Sequence, residues 1–314
     1  MAIERREITS REQWLEWRKS DVTASDIAAV MGVDADKTCA KVWALKLGII
    51  SEAARSEFLE YRECQEGAVL RWLKRYKCPH WDIVEAETYW RDPDIRLGCT
   101  PDAMAIDPDR DGIGCVQIKT VRQDIFEDEW VMPDGKIEIP LAYQLQTQTE
   151  AMLTGAAWAV VATEVMGFGT GSFFTQEIEL EPALEPRIKD VVVRFWADTL
   201  AGKTPRFDFA LDADVIEAMH RKPLVKEPPL DLAADNRLPE LLPMRKRRKD
   251  YISRAQKWVE RADAEIKDKL GGHESAALPG WKISWKLQTR EQQILEQKQF
   301  RVLRVTEQKG KPNG

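Results

Sequence analysis

The densest set of chemically capable residues lies in TPDAMAIDPDRDGIGCVQIKT, residues 100–120. Asp102 opens one strand-like segment, and Gln117 and Lys119 stand two apart on the next. Side chains alternate along a strand, so Gln117 and Lys119 share a face. Ile118 points the other way and leaves its carbonyl available. A carboxylate with neighbouring carbonyl oxygens suits a hard divalent cation such as Mg2+, which takes oxygen donors and keeps several waters. Such a cation acidifies a bound water and polarises a phosphodiester. A lysine ammonium beside it orients the nucleophile and offsets the negative charge that grows in the transition state. Spacing alone also fits a plainer reading, in which these are surface strand residues beside the turn Asp109-Arg110-Asp111-Gly112.

The flanking elements must bring these residues together. Ser10-Arg11-Glu12-Gln13 is a capping box that starts a helix carrying Trp14 and Trp17 on one face. In RKSDVTASDIAAVMG, Ser25 is expected to cap a short helix over Ile27 to Met31, with Gly32 closing it. Further helices are predicted over Thr38 to Leu47 and over 53–77, the latter carrying Phe58, Leu59, Leu70 and Leu73. Residues 82–120 then change to short, turn-punctuated strands: DIVEAETYW, IRLGCT, DAMAID and GCVQIKT. Pro140 opens a helix that Gly155 closes. AAWAVVATEV and FFTQEIEL read as strands and PRIKDVVVRFWADTLAG as a helix. The pattern predicts an α/β fold with a central mixed sheet flanked by helices.

The chain has 314 residues, 43% hydrophobic and 32% charged, which excludes a wholly disordered chain and suits about two domains. Three parts are expected. Residues 1–205 form a core, 206–237 a proline-rich connector, and 238–314 a C-terminal helical hairpin with short strands such as WKISWKLQ and FRVLRV. No run of about 18 apolar residues is present and the N-terminus has no apolar signal segment, so a cytoplasmic protein without a membrane span is expected. The five cysteines, without CxxC spacing, read as reduced thiols. Cys78-Pro-His80 is too sparse for zinc. Most of the twelve tryptophans are expected in the core. The net charge of −6 argues mildly against nucleic acid, so local clusters decide. The strongest is Met244-Arg245-Lys246-Arg247-Arg248-Lys249, which suits either DNA phosphates or a solvated helix surface.

Three ordered blocks carry a family resemblance: WLEWRKSDVTASDIAAVMG, RDPDIRLGCTPDAMA with VQIKT, and AYQLQTQTEAMLTGAAWAVVA. Together they resemble the YqaJ-type viral recombinase nucleases, which include lambda exonuclease and belong to the PD-(D/E)XK superfamily. The likeness runs over roughly residues 10–200 and implies a restriction-endonuclease-like core. It implies that Asp102 holds a metal with Gln117, the Ile118 carbonyl and Glu66, and that Lys119 is the motif lysine. Asp92 matches an acidic residue upstream of the core, although an ordinary strand-turn aspartate fits as well. Gln117 stands where the family more often has Glu, which weakens the hold on a hard cation. Of the paired glutamines Gln146 and Gln148, only one can face the site, and Gln148 is expected to do so. Arg18, Thr23 and Ser25 match a pocket for a DNA 5′-phosphate, a role that suits an arginine fork beside a helix N-terminus.

The resemblance implies an exonuclease that resects duplex DNA ends 5′ to 3′ with Mg2+, or Mn2+ in its place, for recombination by single-strand annealing. It also implies a homo-oligomer, commonly a trimeric ring, and an annealing protein as partner, in a phage- or prophage-encoded setting in the bacterial cytoplasm. A non-catalytic DNA-end-binding scaffold and an endonuclease of the same superfamily remain as alternatives. Residues 238–305 suit oligomer contacts, DNA guidance or partner docking.

Overall fold

The structure is a computed structural model that describes residues 2–52, 56–167, 171–223, 228–289, 303 and 305. The chain divides into two compact units, 1–220 and 221–314. In the first, β1 (Glu4–Glu7) precedes α1 (Arg11–Ser20), β2 (Val22–Thr23), a 3-10 turn (Ala24–Asp26), α2 (Ile27–Val30) and α3 (Cys39–Lys46). Next come α4 (Glu57–Trp72), a π-helical turn (Leu73–Lys77), β3 (Asp82–Glu85), β4 (Thr88–Asp92), β5 (Leu97–Cys99), β6 (Ala103–Ile106) and β7 (Ile113–Arg122). Then follow α5 (Gln123–Glu129), α6 (Leu141–Thr154), β8 (Trp158–Met166), β9 (Gly171–Ile178), α7 (Leu184–Leu200) and α8 (Ala213–Met219). The second unit holds α9 (Leu238–Leu270) and the hairpin β10 (Ser275–Leu278) with β11 (Trp281–Ser284).

The site depends on a five-stranded mixed sheet of order β3-β6-β7-β8-β9. β6 and β7 form the expected hairpin, with Ala103 opposite Val116. Its turn works because Gly112 adopts φ 78°, a left-handed conformation that a side chain would strain. β7 and β8 run parallel, pairing Gln117 with Val161 and Lys119 with Thr163. Both strands are buried over most of their length, as central strands covered on each side are. Val69, Leu70 and Leu73 cover one face, packed with Val116, Ile118, Val160 and Ala162. Trp130, Ile139 and Ala151 cover the other, with Cys115, Ala159 and Val161. The alternation along β7 therefore sends Ile118 toward α4 and Gln117 and Lys119 toward α6. Gly114 permits a close approach here, since a Cβ would lie 2.3 Å from the Trp158 ring.

A second sheet, β1-β4-β5-β2, departs from the single sheet expected. The run DIVEAETYW splits near Ala86, sending β3 to the larger sheet and β4 to the smaller one. A third apolar cluster joins this region to α2, α3, α6 and α7 through Ile27, Trp43, Leu97, Leu145, Ile188 and Trp196.

Several expectations are corrected. The helix expected over 53–77 is α4 followed by the π-helical turn. Residues 53–55 and the side chains of Phe58 and Leu59 lie outside the described residues. The connector expected over 206–237 contains α8, and Val215 is buried in the apolar cluster of the first unit. Where a helical hairpin was expected, one 33-residue helix runs from Leu238 to Leu270. No Gly or Pro interrupts residues 244–270, and the helix stops only at Gly271. The expected strand FRVLRV falls on residues 300–305, of which only 303 and 305 are described. Trp43, Trp130, Trp158 and Trp196 are core residues, whereas Trp258 and Trp281 of the second unit are exposed. No helix among the described residues is long and apolar enough to cross a membrane.

Candidate active site

Asp102 lies at the entry to β6, and the β6–β7 hairpin carries it to the side of Gln117 and Ile118. Its Oδ2 accepts from the Ile118 backbone N–H at 2.6 Å and from the Gln117 amide. These residues, with Glu66 of α4 and Lys119 of β7, line one cavity of about 660 Å³. The same-face placement of Gln117 and Lys119 is thus as the period-two spacing predicts. Asp102 and Lys119 are close enough for the ammonium to pull down the Asp102 pKa, although burial dominates and holds it above its ordinary value. Glu66 is pushed up to about 7, first by burial and then by the Asp102 charge.

The Lys119 ammonium is held against α6. Its Nζ donates to Gln146 Oε1 at 3.1 Å and lies 4.8 Å from the centre of the Tyr143 ring. Gln146 Nε2 donates to Gln117 Oε1 at 3.1 Å and to Glu150 Oε1 at 2.9 Å. Glu150 is fully buried, and burial followed by the Asp102 charge raises its pKa to about 8. The helix phase therefore selects Gln146, not Gln148. Gln148 lies outside the cavity lining, and its Oε1 accepts from the Glu181 backbone N–H at 2.8 Å. The i, i+4 spacing of Gln146 and Glu150, which places an amide and a carboxyl on one helix face, was the available signal.

Asp92 also lies outside the lining. It is buried at the end of β4, where its Oδ1 accepts from the Asp94 N–H at 3.1 Å and caps the turn into β5. Of its two readings, the structure supports the strand-turn aspartate.

Arg18, Thr23 and Ser25 line the same cavity. Arg18 Nη2 lies 3.5 Å from Ser25 Oγ, and the guanidinium sits over the Trp14 ring at 4.6 Å. Trp14 is fixed by its indole N–H, which donates to Thr100 Oγ1 at 3.0 Å. Ser25 is not the helix cap. That work falls to Thr23 and Asp26, whose carboxylate accepts from the Thr23 N–H at 3.0 Å and hydroxyl at 2.8 Å. The Ser25 hydroxyl, 3.0 Å from Thr23 Oγ1, is thereby left beside Arg18.

Beneath this corner lies a charge cluster that the sequence did not reveal. Asp26 meets Lys37 at 2.5 Å and Lys46 at 2.7 Å, and Lys46 also donates to the Arg18 carbonyl at 2.7 Å. Burial opposes ionisation of Asp26, but Lys46, Lys37 and Arg18 overcome it and hold the carboxyl far below its usual range. Burial lowers the Lys46 pKa despite Asp26, and Arg18 and Lys37 add to that fall. Three cations around one carboxylate leave excess positive charge, which an anion at Arg18 and Ser25 would neutralise.

Near Asp102 the groups are of the other kind. Burial is the first cause of the raised pKa values of Asp102, Glu66 and Glu150; Lys119 pulls all three down, helped at Glu66 by Arg62 and at Glu150 by Arg18. Carboxyl and carbonyl oxygens gathered in one cavity fit a hard divalent cation, whose charge would favour their ionised forms. A second acidic group, His80, Asp107 and Asp109, fits one less well. Asp107 is already paired with Arg110 at 3.1 Å, and its Oδ1 caps the β6–β7 turn by accepting from the Asp109 N–H. Residues Arg245 to Lys249 stand on α9 of the second unit, with Lys246 to Lys249 exposed.

The fold and the cavity together describe an α/β protein with an oxygen-rich, lysine-bearing site on the hairpin of a mixed sheet. Residues 13–157 match the model of the YqaJ-like viral recombinase domain. The chain is 23% identical over 280 residues to the uncharacterized protein YqaJ of Bacillus subtilis strain 168, covering 88% of this chain and 83% of that one. Among solved structures it is similar to the alkaline exonuclease LHK-Exo from Laribacter hongkongensis, with 23% identity and a TM-score of 0.47, covering 61% of this chain and 93% of that one. It is also similar to a phage-related exonuclease from Haemophilus somnus 129PT, with 12% identity and a TM-score of 0.39, covering 58% and 96%.

Proposed function

We propose that the chain is a metal-dependent deoxyribonuclease that digests linear double-stranded DNA from 5′ to 3′. Mg2+ is its cation, with Mn2+ able to replace it. The observation that carries this reading is the meeting of Asp102, Gln117, Ile118, Glu66 and Lys119 in one cavity with Arg18, Thr23 and Ser25. Asp102, Glu66, the Gln117 amide oxygen and the Ile118 carbonyl would hold the cation. When bound, the cation would activate water and polarise the phosphodiester. Lys119, fixed by Gln146, would position the nucleophile and offset charge developing on the phosphate. Arg18 and Ser25, above the cationic cluster at Lys46, would take a 5′-phosphate and so set which end enters.

The YqaJ-like domain supports the biological setting, which is phage-type recombination by single-strand annealing. There the chain would act as a homo-oligomer, in a trimeric ring, with an annealing protein that coats the exposed strand. One assay tests the core of the reading: linear duplex labelled at either 5′ or 3′ ends, with and without Mg2+. Release of 5′-terminal label first, only with Mg2+, is the expected result. Asp102→Ala and Lys119→Ala should abolish it in folded protein, and Arg18→Ala should erase any preference for 5′-phosphorylated over 5′-hydroxyl ends. Binding of ends without nucleotide release would instead identify a scaffold, and cutting of circular duplex an endonuclease.

A further inference from the structure

We propose that Glu150 is a positioning residue, whose buried carboxyl fixes the Gln146 amide and, through it, the Lys119 ammonium. This rests on the nuclease reading above. An amide side chain has two unlike ends, and its neighbours decide which way each points. Gln146 uses its Nε2 protons on Gln117 Oε1 and Glu150 Oε1, at 3.1 and 2.9 Å. That leaves Oε1 to accept from Lys119 Nζ at 3.1 Å. A flipped amide would set an NH2 group against the Lys119 ammonium, donor against donor.

The Gln117 contact cannot enforce this orientation alone. Gln117 is itself an amide, held by donating to Asp102. A Gln117 oxygen turned to a cation would release Gln146. Glu150 lies outside the cation's donor set. It is 1% exposed, one helical turn beyond Gln146 on α6, and its acceptor stays in place. It therefore gives Gln146 a reference that cation binding leaves alone, and Lys119 keeps its place against Tyr143.

The test compares Glu150→Leu, Glu150→Gln, Gln146→Met and the double variant Glu150→Leu/Gln146→Met on linear duplex with Mg2+. Melting curves check the fold, and Glu150→Met replaces the leucine variant if that one does not fold. The expected result is a kcat about 10- to 100-fold lower in Glu150→Leu, with KM for duplex ends within about 3-fold of wild type. Glu150→Gln, which keeps an acceptor oxygen, recovers most of the rate. The double variant is no slower than Gln146→Met, because both changes break the same relay. Wild-type kcat in Glu150→Leu, additive losses in the double variant, or a glutamine as damaging as the leucine would each overturn the proposal while the nuclease reading stands. A wild-type protein that releases no nucleotide overturns both.

Discussion

Gln117 is the residue on which the metal chemistry turns. Its amide nitrogen donates to Asp102 and its oxygen accepts from Gln146, so the side chain is satisfied within the protein. To offer its oxygen to a cation it must release Gln146 and supply only a neutral dipole. A carboxylate there would bring a full charge to a hard cation. Gln117→Glu should therefore lower the Mg2+ concentration for half-maximal nuclease activity by about tenfold, equivalent to about 1.4 kcal/mol. A Mg2+ titration of initial rates reads this directly. An unchanged midpoint would place residue 117 outside the coordination sphere and leave Asp102 and Glu66 to carry it.

At the scale of elements, the N-terminal corner rests on one buried carboxylate. Asp26 ties the 3-10 turn to α3 through Lys46, itself only 4% exposed at its side chain, and to Lys37 in the preceding loop. Asp26→Asn leaves the buried Lys46 uncompensated, and such broken pairs cost about 3–5 kcal/mol. The Asp26 pKa is depressed in the folded state, so its contribution is present above the unfolded carboxyl value of about 3.9 and is lost as pH falls toward the folded value. Urea unfolding should show a constant gap between wild type and Asp26→Asn from about pH 8 to pH 5, narrowing below about pH 4. A gap that stays constant to lower pH would show that Asp26 acts through packing and neutral hydrogen bonds. This cluster was not legible in the sequence because Asp26, Lys37 and Lys46 follow no local period and meet only when α3 folds back. Local signals were legible. Ser10 accepts from the Gln13 N–H as expected, though the Gln13 side chain turns to the Thr9 hydroxyl and the reciprocal half of the box is absent. Gly112 closes the β6–β7 turn, and the alternation of β7 sorts Gln117 and Lys119 from Ile118. Choosing Gln146 over Gln148 required the helix phase relative to β7, which packing alone fixes. The split of DIVEAETYW between two sheets was likewise set by distant partners, β6 for one half and β1 for the other.

For the molecule as a whole, charge is segregated rather than uniform. The chain carries a net −6, yet seven basic residues and one acidic residue stand between Met244 and Lys257 on α9. Such a run either neutralises DNA phosphates or serves as a solvated helix face, and salt dependence separates these. Each phosphate neutralised on duplex DNA adds about 0.9 to the slope of log affinity against log salt. Replacing Arg245, Lys246, Arg247, Arg248 and Lys249 with glutamine should lower that slope by about 3 to 4 if most of them contact DNA. The affinity loss should be larger at low salt than at high salt, because screening already weakens those contacts there. Binding of a blunt duplex across a salt series, with Ca2+ in place of Mg2+ to suppress cleavage, gives both quantities. A wild-type slope in the glutamine variant would assign the run to solvation, and DNA would then be held by the first unit through residues such as Arg18. A fall in slope with an unchanged preference for 5′-phosphorylated ends would assign α9 to the duplex backbone and Arg18 with Ser25 to the end.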